Sequence, residues 1–288
     1  MIFLLLSILS SSVIFVIFKL YTRYGINTLQ AIIINYFIAS SVGLFIDRQP
    51  LDLLKITGEA WFPGTLFLGI MFISIFYLAA ITTQRSGLSV VSVATKMSVA
   101  IPVLFGIFFF RESAGAIKIL GILLALVAVY LTSVKKKEGI LIQKKNLLYP
   151  LLVFLGSGII DTSIKYLETS HVSEADVALF SSTIFAIAGM IGICILIVQK
   201  LRGKLEMSFR NFLGGTALGI PNFFSIYFLV LALRTEGFES SAIFPINNVS
   251  IVMVSTFLGI LLFNEKLILK NWIGIALAIL SILMIANS

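Results

Sequence analysis

The sequence predicts an all-α membrane protein, with ten transmembrane helices arranged as two inverted five-helix repeats. Three observations predict it: a composition that cannot cover a water-facing surface, ten apolar stretches of spanning length, and an internal likeness between the two halves. Of the 288 residues, 59% are hydrophobic and 12% charged, with a mean hydropathy of +1.09. A soluble domain carries roughly twice that share of charge. The charges are also gathered into short polar seams, the pattern expected when lipid is the solvent for most of the surface.

A helix needs roughly 20 apolar residues to cross a hydrocarbon core of about 30 Å. Span one, Ile2–Phe18, starts like a signal peptide, but no basic n-region precedes its apolar run and no A-x-A pattern follows, so it reads as a retained span. Span two is Leu29–Ile46 and span three is Phe62–Ile81. Span four, Leu88–Phe110, holds a lysine and a proline in an otherwise apolar run. Span five is Ile117–Val134, and span six, Leu147–Ile164, carries an aspartate. Span seven, Val177–Val198, follows Ser173-Glu174-Ala175-Asp176, which resembles a helix N-cap. Span eight, Phe212–Leu233, carries Gly215 and Gly219, small residues suited to close helix packing. Spans nine and ten are Ser241–Phe263 and Trp272–Ala286. The seams are short, so the helices pack as close antiparallel neighbours and leave no room for an extramembrane domain.

The halves match in three registers. At an offset of 146, Leu5, Leu6, Leu9, Ser11 and Lys19 meet Leu151, Leu152, Leu155, Ser157 and Lys165. At 150, Gly64, Leu68, Gly69, Tyr77 and Gly87 meet Gly214, Leu218, Gly219, Tyr227 and Gly237. At 153, Gly106, Phe110, Glu112, Gly121 and Ala125 meet Gly259, Phe263, Glu265, Gly274 and Ala278. Two five-helix units are expected, residues 1–138 and 139–288. An odd number of spans per unit makes the second enter the bilayer from the opposite side, giving an inverted repeat. The loops after odd-numbered spans hold 14 Lys and Arg and the opposite face 6, which places the first set in the cytoplasm and both termini outside.

Several function classes are excluded. The net charge of +8 is spread over short loops rather than along one soluble face, so no nucleic-acid partner is expected. Cys194 is the single cysteine and lies in an apolar run, which rules out a disulfide framework or a cysteine metal site. His171, the single histidine, reads as a loop residue. One histidine and scattered carboxylates do not make a catalytic cluster, so no catalytic residue, metal or cofactor is expected. No GxxxxGK loop is present for ATP hydrolysis.

The segments PVLFGIFFFRESAGAIKILGILLALVAVYL and STFLGILLFNEKLILKNWIGIALAILSILMI share a span that ends in glutamate, followed by a glycine-bearing span. With these the chain resembles the drug/metabolite transporter superfamily, specifically its EamA-type members, as two such units in tandem. One departure is Ser255 where the first unit has Pro102. The resemblance implies ten helices around a central cavity and a family that includes exporters of amino acids and other metabolites, and carriers of sugars and nucleotide-sugars. The expectation is then a secondary transporter moving a small polar or anionic metabolite across the cell membrane by alternating access, acting as an exporter, as a monomer or homodimer. Multidrug efflux, a membrane-embedded scaffold, a channel and a membrane enzyme are the alternatives.

Lys96 is the sharpest site signal. A charge near the bilayer centre costs at least about 2–3 kcal/mol and should face a cavity or a partner. Ser92, Thr95, Lys96 and Val99 share one helical face, and Pro102 loosens the next turn and frees carbonyls. Lys96 reads either as an anchor for an anion or a proton-coupling group, or as a structural partner of Asp161. In span nine, Pro245, Asn248, Val252 and Ser255 share a face, and the paired amides Asn247 and Asn248 offer more donors and acceptors than lipid tolerates. Asp161, with Ser157 and Lys165 at four-residue spacing, reads as a proton-binding group or as half of an Asp161–Lys165 pair. Asn35, Tyr77, Asn222 and Tyr227 are further candidates for lining the same cavity. Glu112 and Glu265 read as structural, each stabilising the N-terminus of the span that follows it.

Overall fold

A computed structural model describes residues 2–47, 52–86, 88–133, 148–203, 208–235, 237, 239–264 and 267–287. These form α1 (Ile2–Tyr24), α2 (Thr28–Asp47), the short α3 (Leu53–Gly58), α4 (Phe62–Ser86), α5 (Leu88–Met97), α6 (Ala100–Phe109) and α7 (Ala116–Ser133). The second half forms α8 (Leu148–His171), α9 (Val177–Leu201), α10 (Phe209–Leu233), α11 (Ser240–Phe263) and α12 (Leu269–Ala286). Among the described residues, eight helices are long and apolar enough to cross a membrane. Two shorter apolar stretches, Ala94–Phe109 and Ala116–Leu131, stand where spans four and five were expected. The chain is a multi-pass, all-α membrane protein.

Span four is not one helix. It breaks at Ser98 and Val99, between α5 and α6. The cause is Pro102, whose nitrogen carries no proton for the Ser98 carbonyl. That carbonyl instead accepts the Ile101 N–H at 2.9 Å, one residue short of α-helical spacing. The Ser98 hydroxyl donates to the Thr95 carbonyl at 2.6 Å, occupying a second backbone acceptor at the break. Pro245 in α11 leaves that helix continuous.

Packing partners exchange when the first five spans are set on the last five. α1 lies against α10 as α8 lies against α4; α2 lies against α10 as α4 lies against α9; and α1 meets α11 as α8 meets α5 and α6. The pairs α7 with α12 and α2 with α9 are their own counterparts. Gly219 lets α10 approach α2, since a Cβ there would sit 2.6 Å from Ile38 and 2.9 Å from the Asn35 carbonyl. Its counterpart Gly69 does the same for α4 on α9, with Ile187 at 2.5 Å.

The same exchange appears in backbone and cation contacts. Arg111 and Asn264, 153 residues apart, are the non-glycine residues with left-handed backbone, at φ 54° and 51° among the described residues. Each turns the chain at the end of α6 or α11. Lys165 sits over the Phe110 ring at 5.7 Å, and Lys19 sits over Phe263 at 4.1 Å. Both lysines and both phenylalanines are pairs in the sequence registers, so two distant stretches of chain repeat one local geometry.

Some helices outrun their apolar stretches. α8 continues past Ile164 to His171, so His171 lies in a last helical turn, not in a loop, exposed and with its ring centroid 5.6 Å from that of Tyr166. A helix continues past the hydrocarbon edge wherever polar side chains can hydrate its surface, which hydropathy alone does not register. The expected cap before α9 also differs. Asp176 occupies the N-cap position but makes no side-chain cap bond, because its carboxylate accepts the Ser173 hydroxyl at 2.6 Å.

Candidate functional site

The helix break sets Lys96 at the C-terminal end of α5, where it is 8% exposed. Its ammonium donates to Asn248 Oδ1 of α11 at 3.1 Å and lies 5.5 Å from the centre of the Phe15 ring of α1. Asp161, on α8, lies near enough for its charge to act on the lysine through space. Three helices from one half and the other thus converge on one cation, and a buried lysine is tolerable only with such company.

The sequence candidates divide into two groups. Lys96 and Asn248 are bonded, the charge of Asp161 reaches Lys96, and half-buried Thr95 precedes Lys96 in the chain. Asn247 is also buried, and its Oδ1 has no hydrogen-bond partner among the described residues. Ser92 lies in α5, but its side chain is outside the described residues. Asn35 and Asn222 are held elsewhere: Asn222 Nδ2 donates to Asn35 Oδ1 at 3.0 Å across the α2–α10 seam, and Asn35 Nδ2 donates to the Ile32 carbonyl at 3.2 Å. Tyr227 is half-buried and stacks on Phe223 at 5.4 Å, while Tyr77 is exposed on α4. These four therefore do not touch Lys96 through any bond described.

The expected Asp161–Lys165 pair does not form. Lys165 lies 3.5 Å from Glu168, whose other oxygen is 3.0 Å from Arg234 Nε. A spacing of three residues serves a lysine as well as four, and Glu168 sits nearer the polar edge of the bundle. Asp161 instead lies within electrostatic reach of Lys96. Phe15 was missed in the sequence, where nothing separates it from the other apolar residues of span one.

A second polar cluster lies where the chain leaves α6 and enters α11. Glu112 does not serve α7, the span that follows it. Its carboxylate accepts the Ser240 and Ser241 N–H groups at 3.1 and 2.7 Å and the Ser240 hydroxyl, capping α11 in the other half. The left-handed turn at Arg111 aims it there. In return Glu239, at the N-cap position of α11, accepts the Ser113 N–H at 3.0 Å, the Ser113 hydroxyl at 2.8 Å and the Lys118 ammonium. Burial opposes the charge of Glu239, but the hydrogen bonds and charge of Lys118 and the donors of Ser113 outweigh it and hold the carboxyl at about 2. Glu265, the counterpart of Glu112, lies outside the described residues.

A broken span carrying a buried charge, set between two packing-equivalent halves, is the plan of a membrane transporter for small solutes. Residues 1–134, just under half of the chain, match the EamA-like transporter family. An uncharacterized protein of Haemophilus influenzae is 26% identical over 284 residues, covering 97% of this chain and 95% of its own length. A solved crystal structure has a TM-score of 0.75 to this chain at 12% identity, covering 97% of this chain and 94% of its own, which marks a shared fold.

Proposed function

We propose that the protein is a secondary transporter that exports a small polar or anionic metabolite across the cell membrane by alternating access, working as a monomer or homodimer. The observation that carries this reading is Lys96, a buried cation at a helix break, held by Asn248 and facing Asp161. Lys96 is the anchor for a negatively charged group on the solute, and Thr95, Asn247 and Asn248 supply neutral donors and acceptors beside it. Asp161 competes with the solute for Lys96, so a proton taken up by Asp161 would free the lysine to bind. The two units, residues 1–138 and 139–288, exchange conformations about the Lys96–Asn248 contact. Their equivalent packing supports this motion, because a repeat that can adopt either of two arrangements opens the same site to alternate sides.

A second reading has its own observation. Lys96 already has a partner in Asn248, so the contact also fits a purely structural tie between α5 and α11. A thermal-shift screen of wild type and Lys96→Ala against amino acids, sugars, nucleotides and drugs separates the two. Ligand that binds only the folded state raises the melting temperature by mass action. A shift with one anionic class that is lost in Lys96→Ala supports the anchor. A variant that melts early, with no ligand shift in either protein, supports the tie.

A further inference from the structure

The cluster between α6 and α11 joins the two halves twice, in opposite directions. Glu112 of the first half holds the N-terminus of α11, and Glu239 of the second half holds Ser113 and Lys118 of the first. Lys118 is 2% exposed and also donates to the Ser113 and Ser241 hydroxyls at 2.7 and 3.3 Å. Gly106 makes room for the contact: a Cβ there would lie 2.7 Å from Glu112 Oε2 and 3.0 Å from Ser240 Oγ. α6 runs from this cluster directly back to the break at Ser98 and Val99, next to Lys96.

We propose that this reciprocal pair of carboxylate contacts is the gate on the face of residues 110–115, and that the structure holds the transporter shut there. The proposal rests on the alternating-access reading. For that face to open, α6 and α11 must part, which requires Glu112 to leave the α11 N-terminus and Glu239 to release Lys118. Ionic and hydrogen-bonded contacts at the membrane edge suit this task. Water replaces them when they break, so the closed and open states stay near in free energy, whereas apolar contacts buried to the same extent would hold one state only. The break at Ser98 and Val99 lets α6 swing without dragging α5, so opening need not disturb the Lys96 site.

Sided cysteine labelling tests this. Thr95, beside Lys96, is replaced by cysteine in a Cys194→Ser background, and the protein is reconstituted in vesicles and exposed to a membrane-impermeant thiol reagent from each side in turn. Exposed Thr57, on the same face as residues 110–115, and exposed Arg202, on the opposite face, mark the two sides as separate Thr57→Cys and Arg202→Cys proteins. With the gate intact, T95C reacts from the Glu112 face far more slowly than T57C. Glu112→Gln and Gly106→Ala, one weakening the contact and one wedging it, each raise that rate about tenfold, the change expected when one charge-assisted bond is removed. Reaction from the Arg202 face does not rise. The proposal is overturned if T95C reacts from the Glu112 face as fast as T57C with the gate intact, or if both variants leave the ratio of the two faces unchanged. It is equally overturned if reaction rises alike from both faces, since the cluster then only holds the fold together. No solute is used, so failure here leaves the transport reading to the ligand screen.

Discussion

Lys96 and Asp161 are expected to be energetically coupled, and a double-mutant cycle measures that coupling. Lys96 is 8% exposed, donates at 3.1 Å to Asn248, and has Asp161 as its opposing charge. Lys96→Met keeps most of the volume but orphans Asn248 Oδ1 and leaves Asp161 without a counter-charge. Removing one member of a buried pair costs about 3–5 kcal/mol. Asp161 is only half-buried, so the low end, about 3 kcal/mol, is expected for Lys96→Met. Asp161→Asn should cost about 2–3 kcal/mol, because Asn248 still receives the lysine. The double variant leaves no unpaired charge and should cost about 3 kcal/mol, giving a coupling of roughly 2–3 kcal/mol. The assay is equilibrium unfolding in mixed detergent micelles, followed by helicity, with all four proteins in the same buffer. Additive losses, with the double variant near the sum of the singles, would refute the claim that the two charges stabilise each other.

The remaining expectations concern the ends and seams of the bundle. Glu239 has a folded pKa of about 2 against an ordinary 4.5, so its contribution to stability is full above pH 4.5 and is lost as pH falls toward 2; Glu239→Gln should flatten that part of a stability–pH profile. Gly219→Ala should cost about 1–3 kcal/mol by forcing α10 off α2, while Gly58→Ala, with open space around it, should change stability by less than about 1 kcal/mol; paired melting curves check both. Asn35→Leu alone leaves the buried Asn222 amide unpaired and should cost about 1–3 kcal/mol, whereas the double Asn35→Leu/Asn222→Leu should recover most of it in the same melts. At Arg111, φ 54° disfavours a branched side chain, so Arg111→Val should destabilise by about 1–2 kcal/mol while Arg111→Gly should not.

Much of the fold is legible in the sequence. Lipid imposes one simple requirement, apolar residues over about 20 positions, and each span can satisfy it or fail it by itself. The likeness between the halves has local counterparts in the structure: Gly69 and Gly219 each admit a neighbouring helix, and Lys19 and Lys165 each lie over a phenylalanine. Lys96 stood out because a lone charge in an apolar run has few tolerable settings, and Pro102 marked the turn where its helix ends.

Which groups meet is another matter, and only the tertiary structure decided it. Spacing along the helix offered Asp161 to Lys165, yet Lys165 is 3.5 Å from Glu168 and Asp161 faces Lys96. Position before a span assigned Glu112 to α7, yet it caps α11. Asn35, Asn222 and Asn248 look alike as amides in apolar runs, but two bind each other and one binds Lys96. Hydropathy and periodicity are local properties, set by each residue against lipid. A polar group inside a membrane takes whichever partner lies nearest in space, and the rotation and crossing of the two halves' helices can place that partner in the other half of the chain.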